Sequence, residues 1–527
     1  MKNSFFLVIP TQHKKPDQEK AFEERALQQW IQELPTANPG LSTRLLHDLI
    51  KEFNNLRMEP QKRLEALESL RSSFLIIEDY LRSRLIKSGF PKGQNEQKIF
   101  QVLATIEREF AIGYWVVARE LTRRSISWLK GKHTALAIQR VMKSLSNIIL
   151  THYLMGRAVP EWVWMDLHSL YKLSVKIKKE SNKVQDDTCA FGSSTTILDT
   201  YKQILLLSLA EPAGLMQKEM QQVYWFIERI CSYVLLEDKP VPIQTKQCLI
   251  LIDEDRMPFW SDAANEDQSD SDVFYINFST LHKALNQPNK FINDNHARFS
   301  SIFVIKDNLN KLPPELIHYL DSRWSGIYVQ GMPLFMDRLD RLIAIGLNAI
   351  YDFQNPLSPP NESSVEYLAE SSSERSLSCE FPDYDMLSIG SLVSYRKTDM
   401  PKHMRSLGVV NKIVIGREER RLAFELQAIC HQSHPVTFTQ LHAEQDEERQ
   451  KALLYALKED GEEKSYIIME SFLIKNGDVI RLYMNEQNFP ILLVERKNVG
   501  LGYWQFHCRQ VAEPDKPATS KKGYDFI

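Results

Sequence analysis

The apolar residues of this 527-residue chain change their spacing along its length. Between Leu64 and Leu85 they recur every three or four positions, which puts them on one face of a helix. After about residue 385 they alternate with other residues, as Leu422, Phe424 and Leu426 do, which is typical of a strand. The two spacings occupy separate stretches, and the length allows two to four domains. We therefore predict a multidomain protein with an all-α N-terminal part, a small α/β module and a C-terminal all-β barrel.

The helical pattern predicts an N-terminal domain over residues 1–190 and a helical hairpin over residues 191–245 that extends it. Besides the helix containing Leu64–Leu85, the domain should contain helices at about 96–130, 133–156 and 160–180. In the hairpin, the nearly all-apolar Tyr201–Leu209 should be buried on several sides.

The α/β module is predicted for residues 246–355. Three short apolar runs are expected to be strands, and Met336–Tyr351 is expected to be helical. The three runs are Cys248–Ile252, Val273–Phe278 and Ser301–Lys306. Residues 356–385 contain many Ser, Glu and Pro residues and few large apolar ones, so we predict a linker.

Residues 386–512 are predicted to form the barrel, and residues 513–527 a loose tail. About nine short strands are expected in this region. They are Leu392–Tyr395, Leu407–Ile415, Leu422–Leu426, Val436–Leu441, Ala452–Leu457, Tyr466–Met469, Val479–Met484, Pro490–Glu495 and Gly502–Cys508.

Composition excludes several classes of protein. The 65 Lys and Arg residues nearly balance the 68 Asp and Glu residues, so there is no electrostatic case for a nucleic-acid partner. Six irregularly spaced cysteines without a Cys-x-x-Cys pair indicate free thiols in a reducing compartment. No apolar run approaches the roughly 20 residues of a transmembrane segment. We therefore expect a cytoplasmic protein.

The sequence has no phosphate-binding loop with the Walker pattern, no nucleophile elbow, no HExxH zinc motif and no kinase signature. Asp253 and Asp255 follow a predicted strand, where carboxylates can hold Mg²⁺, but the next predicted strand supplies no further acidic residue. The Cys430–His434 segment and the His507-Cys508 pair lack the regular spacing of a zinc site. We predict neither a catalytic residue nor a metal ligand.

Basic residues cluster around the first hairpin of the predicted barrel. A guanidinium group binds phosphate in bidentate fashion and stacks on flat bases, so the cluster is a candidate nucleotide site. Alternatively, these side chains only keep a turn soluble and pair with Glu418 and Glu419. The cluster comprises Arg396, Lys397, Lys402, Arg405, Arg417, Arg420 and Arg421.

This region resembles a PilZ domain, the small barrel that binds cyclic di-GMP in bacteria. The family carries an Arg-x-x-x-Arg motif before its first strands and an Asp/Asn-x-Ser-x-x-Gly motif on the following strand and turn. The segment Asn411-Lys412-Ile413-Val414-Ile415-Gly416 matches the second motif at its first and last positions, with Ile413 in place of the serine. Arg396 and Arg405 flank the loop of the first motif at a different spacing, whereas Arg417 and Arg421 have the spacing but follow the second motif.

The wider chain is similar to the PilZ-containing proteins tied to type IV pili and surface motility, the FimW-like group. The similarity lies in the long helical N-terminal part, the segment YKQILLLSLAEP (Tyr201–Pro212) and the C-terminal barrel. It implies a non-enzymatic, nucleotide-binding signalling protein, a cyclic di-GMP effector that uses no cofactor besides this ligand. The ligand-binding residues implied are Arg396, Arg405, Asn411, Gly416 and Arg417.

The resemblance further implies that ligand binding changes how the helical part meets a protein partner. Two alternatives remain. The protein could be a scaffold whose barrel no longer binds a ligand, or a metal-dependent enzyme that uses Asp253 and Asp255.

Overall fold

The computed structural model describes residues 5–123, 131–190, 192–242, 244–262, 272–286, 312–328, 333–355, 364–416, 420–441, 448–459, 461–471, 473–484 and 487–511. The chain divides into two compact units, Met1–Gln330 and Gly331–Ile527. We call them the helical unit and the barrel unit. The predicted combination of an all-α N-terminal part, a small α/β module and a C-terminal β-barrel region is confirmed.

The helical unit is dominated by long helices, and the helix predicted around Leu64–Leu85 is confirmed as part of α4. The first nine α-helices are α1 (Pro16–Glu19), α2 (Glu24–Glu33), α3 (Pro39–Asn54), α4 (Pro60–Lys87), α5 (Gln94–Arg123), α6 (Gly131–Leu154), α7 (Val163–Lys176), α8 (Ile197–Leu209) and α9 (Gln217–Ile230). Between α7 and α8, the two-residue strands β1 (Val184–Gln185) and β2 (Ser194–Thr195) pair in antiparallel fashion.

Buried cationic side chains donate hydrogen bonds to carbonyl oxygens at the C-terminal ends of two of these helices. Arg63 is fully buried and donates to the carbonyl oxygens of Phe53 and Leu56 at the end of α3. The ammonium group of Lys92 donates to the carbonyl oxygen of Leu85 at 2.9 Å and to that of Ser88 at 2.7 Å, at the end of α4. Both side chains satisfy carbonyl groups that have no partner within their own helix.

A four-stranded antiparallel sheet lies in the same unit. It consists of β3 (Leu235–Glu237), β4 (Lys246–Leu251), β5 (Phe259–Asp262) and β6 (Val273–Asn277), in the order β3-β6-β4-β5. Helices α10 (Ser279–Leu285) and α11 (Pro314–Trp324) complete the unit. The predicted strand Ser301–Lys306 lies outside the described residues.

The sheet and the helices share one hydrophobic core, to which Ile250, Ile276 and Trp324 contribute. The indole nitrogen of Trp324 donates to the carbonyl oxygen of Leu206, which fastens α11 to α8. The α/β module predicted for residues 246–355 is therefore not a separate compact unit, and the chain divides at Gln330 rather than at residue 355.

The barrel unit contains two closed barrels of six strands each, where we predicted one. The first has the order β10-β11-β12-β9-β8-β7 and the second β13-β14-β15-β18-β17-β16. The strands are β7 (Arg341–Ile345), β8 (Tyr367–Ser371), β9 (Ser376–Glu380), β10 (Leu392–Lys397), β11 (Ser406–Ile415), β12 (Arg421–Cys430), β13 (His434–Gln440), β14 (Gln450–Glu459), β15 (Glu462–Met469), β16 (Val479–Met484), β17 (Gln487–Gly500) and β18 (Tyr503–Gln510). Each of the nine predicted strands overlaps one of β10–β18.

The predicted linker over residues 356–385 contains strands β8 and β9, and that prediction is wrong for this part. A strand needs an apolar residue only at alternate positions to bury one face. Ala369, Leu377 and Cys379 supply these positions, and the intervening Ser and Glu residues lie on the other face. The predicted tail, residues 513–527, lies outside the described residues.

The helix predicted over Met336–Tyr351 is also wrong in part. The run Arg341–Ile345 forms β7, and only Leu347–Gln354 is helical, which we number α12. A run of only four apolar residues, Leu342–Ile345, fits a strand as well as a helix turn, and pairing with β10 decides in favour of the strand here.

The two barrels approach each other closely at two glycines. The backbone nitrogen of Leu501 donates to the carbonyl oxygen of Gly390 at 3.0 Å. A Cβ atom on Gly500 would lie 2.1 Å from that oxygen, so no larger residue fits there without a shift of the backbone.

Among the described residues, no helix combines the length and the apolar character that a membrane crossing requires.

Candidate functional site

The structure brings two of the predicted ligand-binding arginines together. Arg396 ends β10 and Arg405 precedes β11, and these strands are antiparallel neighbours. Both side chains are buried, and both bind the carboxylate of Glu366. Arg396 donates through Nε at 2.8 Å and through Nη2 at 2.9 Å, a bidentate pair, and Nη1 of Arg405 donates to the same carboxylate. We call these three residues the arginine–glutamate cluster.

The charges of Arg396 and Arg405 act on the carboxylate of Glu366, which lies between them. Burial alone would raise the pKa of Glu366, but the hydrogen bonds from Arg396 and Arg405 outweigh it and lower the pKa below its ordinary value. Arg405 also donates to the hydroxyl oxygen of Ser394 at 2.7 Å. The side chain of Arg405 is fully buried and stacked on Phe353, so its guanidinium group is enclosed by protein.

Asn411 and Gly416 lie elsewhere on the same strand. Asn411 is six residues beyond Arg405 along an extended strand, a distance of about 20 Å, and Gly416 is farther still. Asn411 is the extra residue of a β-bulge between Val410 and Lys412, and its side-chain oxygen is buried without a partner. A Cβ on Gly416 would meet nothing closer than 4.0 Å. Arg417 lies outside the described residues.

A second feature of the barrel unit was not predicted from the sequence. A cleft of about 760 Å³ opens where α12 and the connection between β12 and β13 meet one end of the second barrel. Pockets that bind nucleotide-sized ligands have volumes of a few hundred to a thousand Å³. The cleft is lined by Tyr351, Gln354, Asn355, His403, Gln432, Ser433, His434, Pro435, Val436, Thr437, Arg449, Tyr483, Met484, Gln487 and Asn488.

The described residues that line this cleft are mostly aromatic or amide-bearing, and none of them carries a carboxylate. Its arginine, Arg449, is exposed and lies over the ring of Tyr483, with the guanidinium carbon 3.9 Å from the ring centroid. The nearby carboxylate of Asp352 is bound by Lys451 at 2.6 Å and by Ser364 at 2.9 Å. Among the described lining residues the charged side chain is thus the cation Arg449, which suits an anionic ligand.

The back wall of the cleft is fixed by a reciprocal contact. The amide nitrogen of Gln354 donates to Oγ of Ser433 at 2.8 Å, and that hydroxyl donates to the amide oxygen at 3.0 Å. Both residues are buried. The lining comes from positions more than 130 residues apart in sequence, Tyr351 to Asn488, so no local spacing could have revealed it.

The carboxylates considered for metal binding have protein partners. Asp253 accepts from Lys172 at 3.3 Å, and Asp255 accepts from the backbone nitrogen of Met165 at 3.0 Å. Cys430 lies in the apolar core of the barrel unit, where burial raises the pKa of its thiol to about 12. Within the described ranges, no group of three or more His, Cys, Asp or Glu side chains is placed to hold a metal ion.

The helical unit contains a buried ionic network centred on Asp186, which follows β1. Its carboxylate binds Arg71 at 3.0 Å and Arg140 at 3.4 Å, and it accepts from Gln139 and from the hydroxyl of Thr188. Burial alone would raise the pKa of Asp186, but the charges of Arg71, Arg140 and Lys143 hold it well below its ordinary value.

A second buried group in the helical unit is a pair of carboxyl groups, Glu78 and Glu107. Arg82 binds Glu78 and lies 3.7 Å from Glu107, and Asn147 donates to Glu78 at 2.8 Å. Burial and the charge of Glu78 raise the pKa of Glu107 well above its ordinary value. The pKa of Glu78 is lowered, because Arg82 outweighs the effect of burial. The two shifts are opposite, so a proton shared by this pair is favoured on Glu107 over Glu78.

The comparisons with known proteins concern the helical unit. Residues 25–241 match the family model described as "Cyclic-di-GMP receptor FimW, N-terminal domain". A curated protein of Pseudomonas aeruginosa, "Cyclic-di-GMP receptor FimW", is 24% identical over 214 residues, which are 40% of this chain and 35% of the relative. The chain thus matches about a third of that relative's length. No solved structure matches the chain. The resemblance to the FimW-like group predicted from the sequence is confirmed, and it extends over residues 25–241.

Proposed function

We propose that this protein is a cyclic di-GMP receptor that acts as a signalling effector in type IV pilus-dependent surface motility. The observation that carries the proposal is the match of residues 25–241 to the N-terminal domain of a cyclic di-GMP receptor family. The two barrels that follow would supply the nucleotide-binding part, and at least one of them would be a PilZ domain. The helical unit would meet a protein partner, and ligand binding would change that contact.

The barrel unit has two places for the ligand. One is the arginine–glutamate cluster, in which a phosphate group would have to replace the carboxylate of Glu366. The other is the cleft beside α12, where none of the described lining residues carries a carboxylate. We propose no metal or cofactor besides the nucleotide. The six free cysteines agree with action in the reducing cytoplasm.

The proposal is tested by calorimetric titration of the purified full chain with cyclic di-GMP. We expect saturable binding with a dissociation constant of about 10 μM or lower, which corresponds to about −7 kcal/mol. Cyclic di-AMP, which has the same phosphate ring but a different base, is the control nucleotide and should bind more weakly. If cyclic di-GMP at about 100 μM gives no binding signal, the receptor proposal is wrong.

A scaffold is the second candidate function, and one observation favours it. Two of the arginines implied by the PilZ resemblance are buried and already bound to Glu366, as expected for a barrel whose ligand site has become part of its core. The same titration separates the two candidates. Binding supports the receptor, and its absence in a folded protein supports the scaffold.

We propose that the protein is not an enzyme. The acidic residues that follow β4 take part in contacts with α7, through Lys172 and the backbone of Met165. Incubation of the full chain with cyclic di-GMP or GTP and Mg²⁺ should leave the nucleotide intact. Turnover that requires Mg²⁺ and is lost in Asp253→Asn would contradict this proposal.

A further inference from the structure

We infer that the nucleotide binds in the cleft beside α12, with a guanine base stacked on the guanidinium group of Arg449. This inference rests on the proposed function and specifies its site. It places the ligand on the second barrel and not at the loop around Arg405, where the sequence predicted the site. Five properties of the described residues support it: access, stacking, base recognition, charge and rigidity.

Access separates the two candidate arginine sites. Arg449 is exposed at the cleft, and among the described residues no carboxylate or carbonyl oxygen lies within hydrogen-bond distance of its guanidinium group. Arg405, in contrast, is 1% exposed and makes hydrogen bonds to Glu366, Ser394 and the carbonyl oxygen of Leu342. A ligand can reach Arg449 without opening an ion pair between described residues, whereas it reaches Arg405 only after the buried pair with Glu366 has opened.

Stacking is prepared by the aromatic ring beside Arg449. The guanidinium carbon lies 3.9 Å from the centroid of the Tyr483 ring, so this ring supports the cation on one side. The hydroxyl group of Tyr483 lies 3.5 Å from that of Thr439, a neighbour on β13. A purine can stack on the opposite face of the guanidinium plane, as bases do on arginine in nucleotide sites.

Base recognition requires donors and acceptors beside the stacked ring. Gln432 and Gln487 are exposed in the lining, and among the described residues no hydrogen bond is made by either side-chain amide. Asn488 accepts from Arg481 at 2.7 Å through its amide oxygen, which leaves its amide nitrogen to donate. Amide groups have both donors and acceptors, as the edge of guanine does.

Charge and rigidity favour an anionic ligand in a preformed site. The described lining residues include Arg449, His403 and His434, and none of them is a carboxylate that would repel a phosphate group. The reciprocal contact between Gln354 and Ser433 holds the back wall in place before the ligand arrives, which lowers the ordering cost of binding.

The test compares two stacked arginines of the barrel unit in the full chain, with cyclic di-GMP as the probe. Arg449→Ala removes the proposed platform. Arg420→Ala is the matched control, because Arg420 is also exposed and lies over a tyrosine, Tyr384, at 5.2 Å, outside the cleft. We expect Arg449→Ala to weaken binding about 10- to 100-fold in calorimetry, and Arg420→Ala to bind like wild type. Arg449→Lys keeps the positive charge but lacks the planar guanidinium group on which a base stacks, and it should also bind more weakly than wild type.

Each result decides the question. Loss of affinity in Arg449→Ala, with Arg420→Ala unchanged, supports the cleft. Wild-type affinity in Arg449→Ala would overturn the cleft while the receptor function stands. Tighter binding in Glu366→Ala, with Arg449→Ala unchanged, would overturn it in favour of the arginine–glutamate cluster. If the wild-type chain does not bind cyclic di-GMP, the proposed function fails and this inference fails with it.

Discussion

In the helical unit, Arg71 and Arg140 are buried and share the carboxylate of Asp186, whereas in the barrel unit Arg449 is exposed with a tyrosine ring as its neighbour. The buried arginines are held by opposite charges on other elements of the same unit. Arg449 has no such partner among the described residues. The difference shows that an arginine's partners, more than its presence near a turn, distinguish a residue that stabilises the fold from one that is open to a ligand.

Arg396 and Arg405 belong to the first kind although they lie in the barrel unit. Their carboxylate partner, Glu366, is on the segment that precedes β8, 30 residues before Arg396. The comparison is thus between arginines in buried ion pairs and exposed arginines without a carboxylate partner among the described residues. Both kinds occur in the barrel unit. The following predictions test this division, beginning with the largest expected effect.

Asp186→Ala should have the largest effect, because it leaves two buried arginines without their shared carboxylate. Breaking a buried ion pair by removing one partner costs about 3–5 kcal/mol. We expect a loss of this size in the unfolding free energy from urea titration, and faster hydrogen exchange in α4 and α6. Asp187→Ala is the control, since its side chain is exposed next to Asp186, and it should change stability by less than about 0.5 kcal/mol. Equal effects of the two substitutions would contradict the role of the buried network.

Glu366→Ala should have the next largest effect, a loss of about 3 kcal/mol in the barrel unit. The loss is smaller than for Asp186→Ala because both arginines keep other acceptors, whereas Arg71 donates only to Asp186 among the described residues. Arg396 still donates to the carbonyl oxygen of Met400 at 2.6 Å, and Arg405 to Oγ of Ser394 at 2.7 Å. Hydrogen exchange of β10 and β11 is the local measurement.

The matched control for Glu366 is Glu370, which pairs with Arg421 but has a side chain that is 60% exposed. Exposed pairs contribute about 0–1 kcal/mol, so Glu370→Ala should leave exchange in β10 and β11 unchanged. If Glu366→Ala proves as mild as Glu370→Ala, the arginine–glutamate cluster is not a stabilising ion pair, and the division made above fails in the barrel unit.

Glu107→Gln should make the stability of the helical unit less dependent on pH. Burial and the charge of Glu78 raise the folded-state pKa of Glu107 well above its ordinary value, so the folded state keeps a proton that the unfolded state releases. The resulting stabilisation is present below the unfolded pKa, about 4.3, and it is lost as pH rises toward the folded pKa.

For one such proton, the unfolding free energy falls by up to about 1.4 kcal/mol per pH unit within this window. Urea titrations of the wild type between about pH 5 and pH 9 should show this fall. The amide group that replaces the carboxyl group in Glu107→Gln has no proton to lose, so the variant's profile should be flatter and its relative stability should be highest at alkaline pH. Parallel profiles for the two proteins would contradict a proton held at Glu107.

Local spacing explains what the sequence could and could not predict about the fold. The helix around Leu64–Leu85 and the strands after Leu392 were predicted, because their apolar spacing is set by one face of a single element. The strands β8 and β9 were not, because half of their residues are Ser or Glu and only a few apolar positions mark the buried face. The division into two barrels depends on which strands pair, and strand spacing alone does not determine pairing.

Site residues are harder to predict than elements, because their partners are distant in sequence. The arginine loop was predicted from composition, but Glu366, which binds Arg396 and Arg405, lay in a segment interpreted as a linker. Asp186 lay in a polar stretch between helices, with no signal that it would be buried. The cleft residues Arg449 and Tyr483 are brought together by the pairing of β13 with both β14 and β16.

The smallest expected effect is that of Arg449→Ala on stability, and it completes the comparison. Arg449 is exposed and precedes β14. Among the described residues, its side chain contacts the ring of Tyr483. An exposed cation–π contact contributes about 0.5–1 kcal/mol at most, and most surface substitutions change stability by less than about 0.5 kcal/mol. We expect Arg449→Ala and Arg420→Ala to unfold in urea at the wild-type midpoint within this margin. A loss above about 2 kcal/mol in Arg449→Ala would make Arg449 a residue that stabilises the barrel, like Arg405, and would contradict the division between arginines in buried ion pairs and exposed arginines.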